Sequence, residues 1–142
     1  MVRMLDRVAR APHRYSEVIV CCPFIGDDLL PRILALFECA QRGSYTIRVI
    51  TSSDAAYVLA NRLLEHQALW RRSVVTRSRL HAKVYVAIAR RRTDSEAIVT
   101  SANLTRGGTV ENIEFGIRAV PSSDAGRRLV DDIHHFVRRL AA

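Results

Sequence analysis

Lysine is almost absent from this sequence of 142 residues. Lys83 is the single lysine among 22 basic residues, so the remaining 21 are arginines. Genome base composition can exchange Lys for Arg, but it does not create net charge, and the chain carries a net charge of +8 with a pI near 10.4. A field of this sign concentrates polyanions near the surface. We therefore expect a polyanionic partner, and the lone lysine needs an explanation of its own.

Long apolar runs and paired cysteines are missing too. No run approaches the roughly 20 residues that a membrane-spanning helix requires, and the charged first ten residues lack the apolar core of a signal peptide. The three cysteines, Cys21, Cys22 and Cys39, cannot all pair within one chain. No histidine stands near them at the spacing of a zinc site. We expect a cytoplasmic protein with no membrane contact, no metal and no other cofactor.

The hydrophobic fraction of 49% and the length of the chain fit one globular domain over residues 1–142. Apolar periodicity predicts strand, helix, strand and helix in the first half, over residues 16–22, 27–43, 46–53 and 54–69. The second half predicts four strands and a final helix, over residues 73–78, 81–89, 96–102, 112–120 and 123–140. This order indicates an α/β fold with a mixed, mostly parallel β-sheet flanked by helices.

Strand alternation divides residues 81–88 between two faces. The even-numbered residues from Ala82 to Ile88 are all apolar and are expected to face a core. His81 and Lys83 share the opposite face. A histidine and a lysine are thus placed side by side on one strand.

The connection over residues 90–96 is short enough for an antiparallel hairpin. If residue 89 lies opposite residue 96, then residue 83 lies near residue 102. Ser101 and Asn103 would then be within reach of His81 and Lys83. After a Gly-rich loop, Glu114 and its neighbour at position 112 would line the next strand, so that polar residues of three strands converge.

These residue types suit chemistry at phosphorus. A neutral imidazole can attack phosphorus or transfer a proton near pH 7. An ammonium and an amide N–H can stabilise the non-bridging oxygens of a phosphate, and the compact charge of Lys83 differs from the planar fork of an arginine. A carboxylate such as Glu114 could hold the imidazole of His81 in one tautomer. A solvated strand face would explain H-x-K alone equally well, whereas the joint pattern H-x-K, S-x-N and N-x-E is harder to explain that way.

The joint pattern resembles the phospholipase D superfamily, whose signature is H-x-K-x4-D followed by G-S-x-N. Here "HAKVYVA", "TSANLTRGG" and "NIEFG" follow that order, and the resemblance extends over nearly the whole chain. Two positions depart from the signature. Ile88 occupies the aspartate position, and Thr100 occupies the position of the usual glycine. Ile88 falls on the apolar face, where it could not directly replace a residue of the phosphate site.

The resemblance implies a role for each matching residue. His81 would be the nucleophile that forms a phosphohistidine intermediate. Lys83 and Asn103 would bind phosphate oxygens, with Ser101 supporting them, and Glu114 would orient His81. The family's reaction requires no metal.

The family's reaction uses two such motifs, one histidine attacking while the other protonates the leaving group. A second H-x-K is impossible here because the chain has no second lysine. An active enzyme of this type must therefore be a homodimer, with two copies of His81 facing each other across a two-fold axis. Beside the motifs, Arg79 and Arg106 are candidates for contact with a phosphate backbone.

Three functions are compatible with these features. The first is a metal-independent phosphodiesterase, a nuclease acting on DNA or RNA. The second is a catalytically inactive module of the same fold that binds nucleic acid or dimerises. The third is a lipid phosphodiesterase, which would need an apolar surface for acyl chains, and no amphipathic membrane helix is evident.

Overall fold

The computed structural model describes residues 1–62 and 67–142. Within them the chain forms one six-stranded sheet with the spatial order β3-β2-β1-β4-β5-β6. The strands are β1 (Tyr15–Cys21), β2 (Thr46–Thr51), β3 (Val74–Thr76), β4 (Val84–Ala89), β5 (Glu96–Thr100) and β6 (Gly116–Ala119). The α-helices are α1 (Val2–Arg10), α2 (Leu30–Gln41), α3 (Ser53–Arg62), α4 (Gln67–Ser73) and α5 (Asp124–Leu140).

The sheet is mixed, as the sequence predicts. β1 pairs in parallel with β2, and β2 with β3. β4 runs antiparallel to β1, β5 to β4 and β6 to β5. The strands that point in the same direction are therefore β1, β2, β3 and β5, and the sheet is mostly parallel in this sense.

Helices cover the two faces of the sheet, and each face has its own apolar cluster. Tyr85 and Ala87 of β4 are buried among residues of α1 and α2. Val84, Val86 and Ile88 point to the other face, where they pack against α5. The predicted apolar face of this strand is confirmed, and the opposite face from Tyr85 onward is buried as well. Full burial of such a side chain contributes about 1.5–3 kcal/mol, so both layers stabilise the central strand.

Most predicted elements are present with shifted ends. α2 begins at Leu30 rather than residue 27, and the chain turns after it at Gly43, whose φ of +79° suits glycine. The helix predicted over residues 54–69 corresponds to α3 and α4, while Leu63 and Leu64 of that prediction lie outside the described residues. α1 was not predicted, although Met4, Leu5 and Val8 bury one face of it.

The predicted hairpin register is wrong by two residues. Ala87, not residue 89, lies opposite Glu96, and Val84 lies opposite Val99. A 3₁₀ turn over Arg92–Asp94 lengthens the connection, and the backbone N–H of Ala89 bonds the Ser95 hydroxyl oxygen at 3.0 Å instead of a strand partner. A shift of two residues preserves the side-chain alternation, so the assignment of faces along β4 is unaffected.

The register defines two ends of the sheet. A row of paired residues crosses it at one end: Ile50, Cys21, Val84, Val99 and Ile117. We call this the proximal end; β1, β2 and β5 finish there, and β4 and β6 begin there. The opposite end, which carries Glu17, Ala89 and Glu96, is the distal end. No described helix is both long and apolar enough to cross a membrane.

Candidate active site at the proximal end of the sheet

His81 and Lys83 lie directly before β4 rather than within it. The backbone C=O of Lys83 accepts a hydrogen bond from the N–H of Thr100 at 3.0 Å, which ties this segment to the end of β5. Lys83 is half-buried, and its Nζ donates to the backbone oxygen of His81 at 3.1 Å. The imidazole of His81 is exposed. Both side chains are therefore available at the proximal end.

The backbone is strained just before the histidine. Arg79 has a φ of 59°, the one positive φ outside glycine among the described residues. A side chain in this left-handed region costs about 1 kcal/mol or more and is concentrated at functional sites. The strained turn follows β3 and directs the chain into the segment that carries His81. Arg79 itself is exposed next to the site.

Ser101 connects the end of β5 to the segment that precedes β6. Its N–H donates to the backbone oxygen of Phe115 at 2.9 Å, and its hydroxyl oxygen accepts from the N–H of Phe115 at 3.1 Å. The hydroxyl also donates to the carboxylate of Glu114. The second carboxylate oxygen of Glu114 lies 3.4 Å from Nδ2 of Asn112, which donates to it. The predicted S-x-N and N-x-E motifs are thus brought together.

Asn103 is held between the end of β1 and a turn of the following loop. The Sγ atom of Cys22 lies 3.7 Å from its Oδ1 atom and accepts from the N–H of Leu104 at 3.2 Å. On the other side, a Cβ atom on Gly108 would lie 2.5 Å from the backbone oxygen of Asn103. Only glycine permits this approach, so Cys22 and Gly108 together fix the position of the Asn103 backbone.

The structure does not contain every contact that the sequence predicts between the site residues. Within the described part of one chain, the Glu114 carboxylate contacts Ser101 and Asn112, and no hydrogen bond links it to His81. Its predicted role in orienting the imidazole stays a prediction. Arg106 forms an exposed ion pair with Glu111 at 2.9 Å. That pair is weak in water, so the guanidinium can exchange it for a phosphate.

A cavity of about 950 Å³ adjoins these residues on the α1 and α2 side of the sheet. Glu114 and Thr100 line it at the site, and Arg3, Arg32 and Arg106 contribute positive charge to its walls. Its size is at the upper end of the range for small-molecule sites. The cavity offers space beside the site for a substrate larger than a single phosphate.

Burial excludes one cysteine as a nucleophile. It raises the pKa of the Cys21 thiol to about 12, with a smaller contribution from neighbouring Cys22, so Cys21 is not a thiolate at neutral pH. Burial likewise raises the pKa of Tyr85, whose hydroxyl lies in the core. His81, by contrast, is exposed at the proximal end.

In residues 1–62 and 67–142 no group of three His, Cys, Asp or Glu side chains is arranged to hold a metal ion.

Sequence reasoning did not identify Cys22 and Gly108 as parts of the site. For a functional role, Cys22 was considered only as a disulfide or zinc-ligand candidate, and its contacts with residues 103 and 104 span about eighty positions of sequence. Gly108 belongs to the Gly-Gly pair after Arg106, and that pair was a signal for a close backbone approach.

Comparison with known families agrees with this geometry. Residues 5–134 match the family described as "Cardiolipin synthase, PLD-like domain". The chain therefore belongs to the phospholipase D-like family and to the phospholipase D superfamily. Members of that superfamily are phosphodiesterases and phosphotransferases, and a phosphoryl-transfer function is consistent with this membership.

A solved structure has the same fold. The crystal structure of polyphosphate kinase from Porphyromonas gingivalis superposes with a TM-score of 0.65 at 17% sequence identity. The match covers 98% of this chain and 23% of the kinase chain. Likeness at this identity supports the fold alone. A comparison with curated protein sequences finds no significant match.

The Ile88 departure from the family signature lies far from the site. Ile88 is buried in the apolar cluster under α5 and pairs with Glu17 at the distal end. It lies five positions after Lys83 along the strand, about 16 Å away. As expected from the alternation, this position does not contribute a side chain to the proximal end.

Proposed function

We propose that this protein is a metal-independent phosphodiesterase that cleaves nucleic acid, DNA or RNA. One observation carries the proposal. In this phospholipase D-like chain, the motif residues from three strand ends lie at the same end of the sheet: His81, Lys83, Ser101, Asn103 and Glu114. The net charge of +8 supports a polyanionic substrate.

In the proposed reaction His81 supplies a ring nitrogen that attacks phosphorus, and the P–O bond to the leaving group breaks. A second His81 donates its proton to the departing oxygen. That imidazole then takes a proton from water, and the resulting hydroxide releases the phosphoryl group from the first histidine. Lys83 and Asn103 stabilise the non-bridging oxygens throughout. The lone lysine is explained because a compact ammonium fits beside His81, where a planar guanidinium would be larger.

The second histidine is supplied by a second copy of the chain. Next to Glu114, the segment leading into β6 exposes Ile113 fully and Phe115 to 73%, and Ile117 of β6 is 52% exposed. Neighbouring apolar side chains at this exposure are typical of a surface that another protein covers. A two-fold axis beside this surface would bring the two copies of His81 together.

The experiment is phosphodiester cleavage in EDTA by the wild type, His81→Ala and His135→Ala. His135 is an exposed histidine of α5 and serves as the matched control. The substrates are single- and double-stranded DNA, RNA and a chromogenic phosphodiester. We expect the wild type and His135→Ala to cleave, and His81→Ala to lose at least about 10³-fold. Light scattering should give twice the 16.0 kDa mass of the chain.

One outcome would replace this proposal. If the wild type and His81→Ala are equally inert on all substrates, but both bind nucleic acid with an affinity that falls steeply with salt, then the domain is a binding module. A monomeric mass combined with full activity would contradict the shared site.

A further inference from the structure

A second cavity, of about 580 Å³, lies at the distal end of the sheet. It is lined where β1 and β2 begin and β4 ends. Its polar lining consists of arginine and hydroxyl side chains, among them Arg48, Arg72, Arg90, Ser16, Ser44 and Thr46. We call it the arginine cavity. None of the proposed catalytic residues lines it, and it adjoins the opposite end of β4 from Lys83.

The arginine cavity is strongly positive. Three of its lining residues are arginines, and none of its described lining residues is Asp or Glu. Among the described residues, an ion pair is found for one of these arginines: Nε of Arg48 lies 3.7 Å from the Oε1 atom of Glu17. The other oxygen of Glu17 is already 2.6 Å from Nε2 of His134. One shared carboxylate at this distance leaves most of the positive charge available for an anion.

Arg90 is held in place before any ligand arrives. Its Nε donates to the backbone oxygen of His13 at 3.1 Å, and its Nη2 donates to the backbone oxygen of Ser44 at 3.0 Å. A guanidinium has five N–H donors, so about three remain for a ligand. Neither carbonyl carries a net negative charge, and the full positive charge of Arg90 therefore persists in the cavity. Preorganisation of this kind lowers the entropic cost of binding.

The shape and chemistry of the cavity define the ligand class. Arginine binds phosphate oxygens in a bidentate manner, and hydroxyl groups can complete the coordination. Part of the lining is apolar, contributed by Ala40, Tyr45 and Leu69. The volume falls within the usual range for small-molecule sites. These features fit a phosphate group attached to a less polar moiety.

We propose that the arginine cavity binds a phosphate ester of nucleotide size. It is a second site, independent of catalysis: Arg90 lies seven positions after Lys83, about 23 Å along β4. The ligand can come from two sources with the same chemistry, a free mononucleotide or one nucleotide within a longer strand. In the second case the distal site anchors a strand whose scissile phosphate lies elsewhere.

The test compares two double variants of equal charge. Arg48→Ala with Arg72→Ala removes two arginines of the cavity. Arg91→Ala with Arg139→Ala removes two exposed arginines that line neither cavity and form no ion pair among the described residues. Calorimetric titration of the full chain with adenosine monophosphate, and separately with a 12-nucleotide DNA strand, gives the dissociation constants.

We expect the cavity variant to weaken binding of at least one of the two ligands by about tenfold or more, and the control pair by less than about twofold. If the cavity variant binds the mononucleotide more weakly than wild type, a free nucleotide is a sufficient ligand. If it binds only the DNA strand more weakly, the ligand is a nucleotide within a strand. Equal weakening by both pairs, or no weakening by either, would overturn the proposal. Because Arg48 also contacts Glu17, the single variant Arg72→Ala, at an exposed position, is measured as well. All titrations are made in the His81→Ala background, where the proposed cleavage cannot consume the strand, so the result does not depend on whether that cleavage occurs.

Discussion

The two ends of the sheet differ in the partners of their charged groups. At the distal end the carboxylates of Glu17 and Glu96 are largely buried, and each meets arginine partners. At the proximal end His81 and Lys83 have no carboxylate partner within the part of the chain that the structure describes. Buried carboxylates with cationic partners stabilise the fold, whereas an imidazole and an ammonium without such partners are available to a ligand. The comparison assigns the stabilising carboxylates to the distal end, next to the arginine cavity, and the proposed cleavage to the proximal end, and substitutions can break it.

The largest expected effect on stability is at Glu96. Its side chain is only 4% exposed, and its carboxylate accepts from Arg118 at 2.7 Å as well as from Arg7. Glu96→Gln should lower the free energy of unfolding by about 2–4 kcal/mol, because two cations lose a buried partner. Urea unfolding measures the change, and the proposed cleavage activity per folded molecule should be retained.

The control for Glu96 is an exposed pair at the same end. Arg92 and Asp131 are both about half exposed, so Asp131→Asn should cost less than about 1 kcal/mol. Equal losses in the free energy of unfolding for Glu96→Gln and Asp131→Asn would show that burial does not determine how much a distal carboxylate contributes to stability.

A substitution in the loop that supports Asn103 should affect chemistry and stability together. Gly108→Ala places a methyl group 2.5 Å from the Asn103 backbone oxygen, so the loop must move. We expect a loss of about 1–3 kcal/mol in stability and about 10- to 100-fold in cleavage rate. Gly107→Ala is the matched control, since its nearest neighbour would lie at an ordinary 3.7 Å. Wild-type cleavage by Gly108→Ala would exclude a positioning role for this turn.

The smallest expected effect depends on pH. The hydrogen bond from His134 lowers the pKa of Glu17 below its ordinary value of 4.5, with help from Arg138 and Arg48. A group whose pKa is lower in the folded state than in the unfolded state stabilises the fold at pH values above its unfolded-state pKa. This stabilisation is lost as the pH falls through the folded-state pKa.

Glu17→Gln should therefore be less stable than wild type by about 1–2 kcal/mol at pH 5. The difference should shrink as pH falls below 4.5 towards the acid limit. Thermal unfolding of both proteins across this range provides the comparison. A difference that stays constant, or grows as pH falls, would contradict the linkage.

Local patterns predicted much of the fold. The apolar run around Val18 and the alternation from Ala82 to Ile88 specify strands, because burial on a pleated surface requires them. α1 was missed since its many charges obscured the short apolar stripe of Met4, Leu5 and Val8. The hairpin register was wrong because a 3₁₀ turn has no signature in strand alternation.

The site was predicted less completely than the fold. Motif order predicts roles for His81, Lys83 and Asn103, since those residue types suit chemistry at phosphate, and these roles stay predictions. The contacts of Cys22 with the Asn103 segment join distant parts of the sequence, and no local pattern encodes them. The partners of Glu114 depend on the path of the loop at residues 107–111, which periodicity does not define.

The most direct test of the account is the exchange of its one lysine. Lys83→Arg keeps the charge and changes only its shape, and the reverse exchange Arg91→Lys at the distal turn is the control. Cleavage in EDTA and the thermal unfolding midpoint are measured for both. If a compact ammonium is required beside His81, Lys83→Arg loses about 10²-fold in cleavage rate with an unchanged midpoint, and Arg91→Lys changes neither. Cleavage by Lys83→Arg at the wild-type rate would contradict the requirement for a compact ammonium beside His81, and with it the explanation of the lone lysine.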